Sequence, residues 1–172
     1  MSGSGVAPPR ASILPRSLRP DVSRLLPPDP QSYRGPLLAV WLLAAYLLII
    51  VARSLVHVFA PDGGAGSIAT IDLDVEGGAN IVAMFGQWGA VQLLLALVLI
   101  TLVIRYRGLV AFTALALGVE AVVRMLSGTL KPLETLGTAP GAALNEVMGF
   151  IMLLVLWLAL CPAKDRSANT AT

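Results

Sequence analysis

Hydrophobic residues are concentrated in four long segments of the chain, separated by short polar or glycine-rich stretches. The segments cover residues 35–60, 80–104, 108–130 and 141–161. Each is long enough to cross a bilayer, because an α-helix rises about 1.5 Å per residue and the hydrocarbon core is about 30 Å thick. The pattern therefore predicts an all-α integral membrane protein in which four transmembrane helices form an up-down bundle.

The composition indicates a membrane protein and excludes a soluble domain. Of the 172 residues, 56% are hydrophobic and only 13% are charged, whereas about 25% are charged in a typical soluble domain. The hydrophobic segments form one domain, residues 35–161, between an N-terminal tail of residues 1–34 and a C-terminal tail of residues 162–172. The formal net charge of +2 does not indicate a nucleic-acid partner, because the basic residues flank the predicted helices.

The basic residues outside the predicted helices lie mostly on one side of the membrane. Lys and Arg are enriched in cytoplasmic loops, so we expect this side, and with it both termini, to be cytoplasmic. The opposite side carries a glycine-rich stretch with four acidic residues, which we call the acidic loop, residues 61–79. The basic residues on the first side are Arg10, Arg16, Arg19, Arg24, Arg34, Arg105, Arg107, Lys164 and Arg166.

The segments outside the predicted helices differ in how ordered we expect their structure to be. Residues 1–34 are rich in Pro and Arg and have little hydrophobic surface to bury, which predicts a disordered cytoplasmic tail. A short turn at the membrane surface around residues 22–26 is the alternative. The acidic loop begins with a tight turn at residues 61–64 and has isolated hydrophobic residues that can pack on the bundle. We expect it to form a partly ordered lid.

Every predicted helix carries polar or ionisable residues toward the same face of the membrane. A charge inside hydrocarbon is costly, so such residues face the bundle interior, pair with one another or line water. In an up-down bundle these residues share one depth, and we predict that they form a ligand pocket near the outer face. The pocket residues are Arg53, His57, Gln87, Glu120, Arg124, Asn145 and Glu146, and the same polar layer includes Asn80.

Two other interpretations of these polar residues stay open. Buried ion pairs and amides also set the register and rotation of packed helices without binding a ligand. His57, the only histidine of the chain, is either a general base or a side chain that is simply hydrogen-bonded.

The sequence indicates no metal site and identifies no cofactor. A single cysteine, Cys161, excludes a disulfide, a dithiol redox pair and a cysteine-based zinc site within one chain. Residues 72–77 resemble the first half of a calcium-binding EF-hand loop, but Ala83 occupies the position of the bidentate glutamate. No P-loop, G-x-S-x-G or H-E-x-x-H motif occurs in the chain.

Small residues recur along the second predicted helix at intervals of three or four. They let a neighbouring helix approach closely, so we expect them to form a packing face. These residues are Ala79, Ala83, Gly86 and Ala90. The second and third helices are joined by only a few residues and should form a helical hairpin.

One stretch of sequence, together with the layout of four helices, resembles a known family. The stretch reads Arg53-x-x-x-His57-x-Phe59-x-Pro61-Asp62-Gly63-Gly64, with Gln87-Trp88-Gly89 downstream. Over residues 36–161 the chain resembles the DoxX-like group of small bacterial membrane proteins. The resemblance implies a bacterial inner (plasma) membrane location and, for some relatives, quinone or thiol redox work. The chain lacks the paired cysteines that a thiol mechanism would use.

The leading hypothesis is a non-enzymatic membrane protein whose pocket binds a small polar or amphipathic ligand, such as a lipid headgroup or a quinone. Arg53 and Arg124 would bind anionic groups, while Glu120 and Glu146 would hold the arginines in place. A role as an accessory subunit of a membrane complex, or assembly as a homo-oligomer, is also open. The rival hypothesis is an enzyme of lipid-like substrates that uses Glu120, Glu146 or His57 as an acid–base group.

Overall fold

Helices account for all regular structure in the part of the chain that the computed structural model describes, residues 15 and 18–163 without the side chains of residues 140–144 and 146. The prediction of an all-α chain with four helices is confirmed. Short 3₁₀ turns at Val22–Arg24 and Arg107–Leu109 precede the first and the third long helix. The long helices are α1 (Leu37–Phe59), α2 (Gly78–Arg105), α3 (Val110–Leu130) and α4 (Pro140–Leu160).

Three helical segments are long and apolar enough to cross a membrane. They are Leu37–Phe59, Gly78–Arg105 and Arg107–Leu130. The apolar stretch found in α4 is shorter, Val147–Leu160. Length and composition thus support three crossings within the described residues, while the crossing by α4 and the orientation of the termini stay predictions.

α1 and α2 form the most extensive helix pair of the bundle. Their buried residues recur every three or four positions, which places them on one face of each helix. The buried residues of α1 are Ala39, Leu43, Tyr46, Leu47, Ile50, Ser54 and His57. Those of α2 are Gly78, Gly89, Gln92, Ala96, Leu99 and Val103.

Gly89 marks a close approach between α1 and α2. A Cβ atom at this position would lie 2.4 Å from the Cβ of His57 and 3.1 Å from the backbone oxygen of Ser54. A larger residue fits only if the helices separate. The prediction that these small residues form a packing face of α2 is wrong for the three alanines, because α2 packs on α1 through the face that contains Gly89. These exposed alanines are Ala79, Ala83 and Ala90.

Two contacts establish the register between α1 and α2. His57 lies against Gly89, and the hydroxyl of Ser54 lies 3.5 Å from the side-chain oxygen of Gln92. Because the helices are antiparallel, the last residue of α1 lies about level with Gln87. α2 begins at Gly78, well before Gln87. It therefore extends beyond α1 at the end that carries the acidic loop, which we call the loop end.

α3 packs mainly on α4, and α1 contacts α4, so the helices lie in the order α2–α1–α4–α3. Gly149 of α4 faces Ala121 of α3, where a Cβ would fit in ordinary van der Waals contact, 3.7 Å from the Cβ of Ala121. α2 and α3 are connected only through Tyr106 and a 3₁₀ turn, yet they contact each other little. The expected hairpin is therefore an open one.

Residues 18–36 are folded against the opposite end of the bundle, which we call the tail end. The backbone N–H of Asp21 and the guanidinium of Arg24 donate hydrogen bonds to the carbonyl oxygens of Leu160 and Cys161, each at 3.0 Å. The last carbonyl groups of a helix lack partners within that helix. The N-terminal segment therefore caps the end of α4.

Composition predicts a disordered tail over residues 1–34, whereas residues 18–34 include groups that form these bonds to distant helix ends, which composition does not reveal. The alternative turn at residues 22–26 corresponds to the 3₁₀ turn at Val22–Arg24. The remaining part of the predicted tail, residues 1–14, 16 and 17, lies outside the described residues, as does most of the C-terminal tail.

We expect the substitution Gly89→Ala to destabilise the protein, because the new methyl group would overlap the Cβ of His57. Overpacking of this kind costs about 1–3 kcal/mol, which a lower Tm in detergent would report. Gly128→Ala is the matched control, since a Cβ at Gly128 meets nothing within 4 Å. A Tm for Gly89→Ala equal to that of the wild type would contradict the close contact.

Candidate functional site

Two arginines meet at one amide oxygen near the loop end of the bundle. Arg53 of α1 and Arg124 of α3 each donate a hydrogen bond from Nη1 to Oδ1 of Asn145 on α4, at 2.8 and 2.9 Å. Two guanidinium groups repel each other at this separation. The shared acceptor holds them together and joins three helices at one point.

Further hydrogen bonds bring α2, the remaining long helix, into the site. Nη2 of Arg53 donates to Oε1 of Gln92 on α2 at 3.0 Å. On the other side, Nη2 of Arg124 donates to both carboxylate oxygens of Glu120, one turn earlier on α3. We call these five side chains, Arg53, Gln92, Glu120, Arg124 and Asn145, the polar network. Every long helix contributes at least one of them.

The ring of Trp88 covers both arginines. Its centroid lies 5.3 Å from Cζ of Arg53 and 5.8 Å from Cζ of Arg124. Cations within about 6 Å of an indole ring are attracted to its face, most strongly where water is excluded. Trp88 is 37% exposed, so it forms an outer wall of the site.

The described part of the polar network has more donors and more positive charge than its acceptors balance. Two guanidinium groups face one carboxylate, Glu120. The Nε atoms of Arg53 and Arg124 are buried and have no hydrogen-bond partner among the described residues. Buried donors without a partner cost about 1–3 kcal/mol each. An anionic or carbonyl oxygen would satisfy them.

His57 connects the polar network to the acidic loop. The side chain is 3% exposed, and its Nδ1–H donates to the carbonyl oxygen of Gly63 at 2.7 Å. The imidazole ring lies 4.9 Å from the ring of Trp88 and 5.6 Å from that of Phe85. These contacts are those of a buried residue that anchors a loop, as the second interpretation of His57 expected.

The acidic loop has an ordered first half. The carboxylate of Asp62 accepts hydrogen bonds from the backbone N–H groups of Gly64 at 2.9 Å and Ser67 at 2.7 Å. These bonds lower the pKa of Asp62 to about 2, so the carboxylate is ionised near neutral pH. Gly64 has a φ of 72°, in the left-handed region that glycine adopts without strain. The turn therefore depends on the carboxylate of Asp62 and on the backbone conformation of Gly64.

A second contact ties the acidic loop to the connection between α3 and α4. The carbonyl oxygen of Thr70 accepts a hydrogen bond from the backbone N–H of Leu136 at 2.8 Å. The hydroxyl of Thr70 donates to the carbonyl oxygen of Gly137 at 3.0 Å. The two connections at the loop end are thus joined to each other.

The structure brings four of the seven predicted pocket residues into one network and His57 beside it. The four are Arg53, Glu120, Arg124 and Asn145. Gln87 is exposed, as is Asn80. The side chain of Glu146 lies outside the described residues.

The register of α2 explains why Gln87 lies outside the network. The prediction placed the polar residues of each helix at equal distances from its end, but α2 extends beyond α1 at the loop end. Gln92 therefore lies at the depth of Arg53 and takes the role expected of Gln87. Gln92 could have been found from the sequence, because Gln92, Ala96, Leu99 and Val103 have the spacing of one helix face.

No group of three or more His, Cys, Asp or Glu side chains that could hold a metal ion occurs among the described residues. Asp72, in the part of the acidic loop that resembles an EF-hand, accepts a hydrogen bond from the backbone N–H of Asp74 at 2.9 Å. That bond closes a local turn of the loop.

A separate cavity of about 310 Å³ lies at the tail end, between the N-terminal segment and the helix ends. Its charged side chains interact with one another or with nearby hydroxyl groups. Arg24 lies 3.6 Å from Asp21, and the hydrogen bond from Ser32 lowers the pKa of Asp29. Burial raises the pKa of Tyr33, which also lines this cavity, to about 12. These interactions hold the N-terminal segment in place.

The chain was compared with protein-family models, curated proteins and solved structures. No family model matches it. No curated protein and no solved structure matches it either.

We expect Arg124→Ala to destabilise the protein, because it leaves the carboxylate of Glu120 without its cation. Removing one partner of a buried pair costs about 3–5 kcal/mol, and partial exposure of this pair places the loss near the lower value. Adding Glu120→Gln to the same chain should recover part of the loss in Tm.

Met125→Ala is the control for this experiment, because Met125 is the next residue of α3 and is 60% exposed. It should change the Tm little. If Arg124→Ala melts at the same temperature as Met125→Ala, the ion pair does not stabilise the bundle.

Proposed function

We propose that the chain is an integral membrane protein of the bacterial inner membrane, that α4 also crosses the bilayer, and that both termini are cytoplasmic. One observation that supports this topology is a hydrogen bond of 3.0 Å from the backbone N–H of Ala163, after α4, to the carbonyl oxygen of Arg34, before α1. α4 thus ends where α1 begins. We also propose that the chain is related to the DoxX-like proteins, which it resembles over residues 36–161.

The distribution of charge supports the orientation. Described basic residues at the tail end include Arg24, Arg34, Arg105 and Arg107, whereas the acidic loop lies at the opposite end. Basic residues favour the cytoplasmic side. On this topology the polar network lies toward the outer surface.

We further propose that the polar network binds the anionic group of a small amphipathic ligand, such as an acidic lipid headgroup. The observation that carries this proposal is the shared acceptor: the guanidinium groups of Arg53 and Arg124 both reach Asn145, while Glu120 supplies the one carboxylate among the described side chains of the site. Arginine is well suited to carboxylate and phosphate, because its planar fork can form two parallel hydrogen bonds.

The other ligands and roles expected from the sequence receive less support. A quinone would supply carbonyl acceptors for the two Nε atoms that have no partner among the described residues, but a neutral carbonyl oxygen forms weaker hydrogen bonds with arginine than an anionic oxygen does. An enzyme would need an accessible acid–base group, whereas Glu120 is paired with Arg124 and His57 is only 3% exposed. A role as a subunit, or a homo-oligomer, is compatible with anion binding and needs no different site.

The topology predicts which side of the membrane reaches engineered cysteines, each introduced singly in a Cys161→Ser background. An impermeant maleimide added to intact cells should label Ser67→Cys in the acidic loop. It should label Gln31→Cys and Ser167→Cys only after the membrane is permeabilised. Labelling of Ser167→Cys in intact cells would mean that α4 does not cross.

Anion binding is tested with the purified protein in a non-ionic detergent, titrated with a short-chain alkyl phosphate and followed by thermal stabilisation. Arg53→Gln and Arg124→Gln should each weaken binding about tenfold or more, because a hydrogen bond to a charged group contributes about 1.5–3 kcal/mol. Every variant retains Glu146, so a difference in alkyl phosphate binding between a variant and the wild type reflects the substituted arginine alone.

Arg105→Gln is the matched control, because Arg105 lies at the far end of α2 beside Tyr106. It should bind the alkyl phosphate as the wild type does, and an alcohol of the same chain length should not bind. If Arg105→Gln weakens binding as much as the site variants, the anion is held by surface charge and the proposal fails.

A further inference from the structure

α2 and α3, which both carry residues of the polar network, are the neighbouring helices with the weakest contact in the bundle. α2 packs on α1, α3 packs on α4, and α2 and α3 contact each other little. At the depth of the network, side chains span the space between them: the ring of Trp88 on α2 lies 5.8 Å from Cζ of Arg124 on α3. The two helices are thus separated where the site lies.

The side chains at this gap remain partly accessible. The exposed fraction is 37% for Trp88, 25% for the side chain of Glu120 and 18% for that of Arg124. Arg124 lies six residues before the end of α3, which corresponds to about 9 Å along the helix. In a bilayer, lipid is what would cover groups at this depth. Bare acyl chains would leave an ion pair poorly solvated.

Another route to the network is obstructed by the acidic loop. A Cβ at Gly63 would lie 3.1 Å from the backbone oxygen of Val82 and 3.3 Å from the Cβ of Phe85. The loop therefore rests directly on the part of α2 that extends beyond α1. His57 and Phe85 lie beneath it, in contact with Trp88. Over α1 and α2, the loop and these rings separate the network from water.

We infer that the space between α2 and α3 is a lateral entrance, through which an anionic phospholipid of the bilayer places its phosphate against Arg53 and Arg124. This inference rests on the proposed function and specifies the ligand and its route. The acyl chains stay in the bilayer, and Trp88 forms the side wall of the entrance. Charge complementarity selects the lipid, because the guanidinium groups of Arg53 and Arg124 meet in the site and their Nε atoms have no partner among the described residues.

The experiment uses the full chain with Trp88 as its only tryptophan, through Trp41→Phe and Trp157→Phe. The protein is reconstituted in phosphatidylcholine vesicles that contain either phosphatidylglycerol or phosphatidylcholine with brominated acyl chains, at equal mole fraction. Bromine quenches a tryptophan that it contacts. We expect the apparent affinity of the quenching lipid to be about tenfold higher for phosphatidylglycerol, because the choline group of phosphatidylcholine would bring a further cation close to the guanidinium groups.

Two controls separate a specific site from general lipid contact. Arg124→Gln in the same single-tryptophan chain should abolish the preference for phosphatidylglycerol. A chain whose only tryptophan is introduced by Leu48→Trp should show no preference, because Leu48 is 66% exposed in the middle of α1, away from the site. An equal preference at both tryptophans would overturn the inference.

The result also distinguishes this inference from the proposed function. If Trp88 is quenched equally by both lipids while the alkyl phosphate still binds through Arg53 and Arg124, the lateral entrance is wrong and anion binding stands. If neither the phospholipid nor the alkyl phosphate depends on the arginines, both proposals fail.

Discussion

The side-chain oxygen of Asn145 is the acceptor on which the arrangement of the bundle depends. It receives one hydrogen bond from Arg53 and one from Arg124, and so holds together two cations that would otherwise repel each other in a medium of low dielectric constant. Gln92 and Glu120 complete the set of acceptors around these arginines. Apolar packing alone discriminates poorly between helix rotations in a bilayer, whereas these directional bonds specify how all four helices face one another.

Backbone contacts bring the helices close enough for these bonds. Gly89 lets α1 and α2 meet at His57 and Ser54, and the resulting register places Gln92 beside Arg53. From the same contact, His57 reaches Gly63 and anchors the acidic loop. The helix contact, the polar network and the loop are therefore consecutive parts of one structure, in which a change at Gly89 would propagate to the others.

The buried donors of the described network favour the proposed role beyond packing. A site built only to set helix rotation would be expected to balance its charges and satisfy its donors, because unpaired groups are costly where water is absent. Here two buried Nε atoms have no partner among the described residues, and α2 and α3 contact each other little. Both features suit an anionic amphiphile whose charged group is held inside while its chains remain in lipid.

The hydrophobic pattern by itself determined the helical class and the number of long helices, because only long apolar runs can bury a hydrogen-bonded backbone in a membrane. The cost of charge in hydrocarbon likewise identified Arg53, Glu120, Arg124 and Asn145 as residues of one polar layer. Only the tertiary structure decided that Gln92 rather than Gln87 joins them and that residues 18–34 are folded. Helix register depends on where a glycine lets two backbones meet, and capping depends on which groups reach the free carbonyl oxygens at a helix end. Both are contacts between residues far apart in the chain.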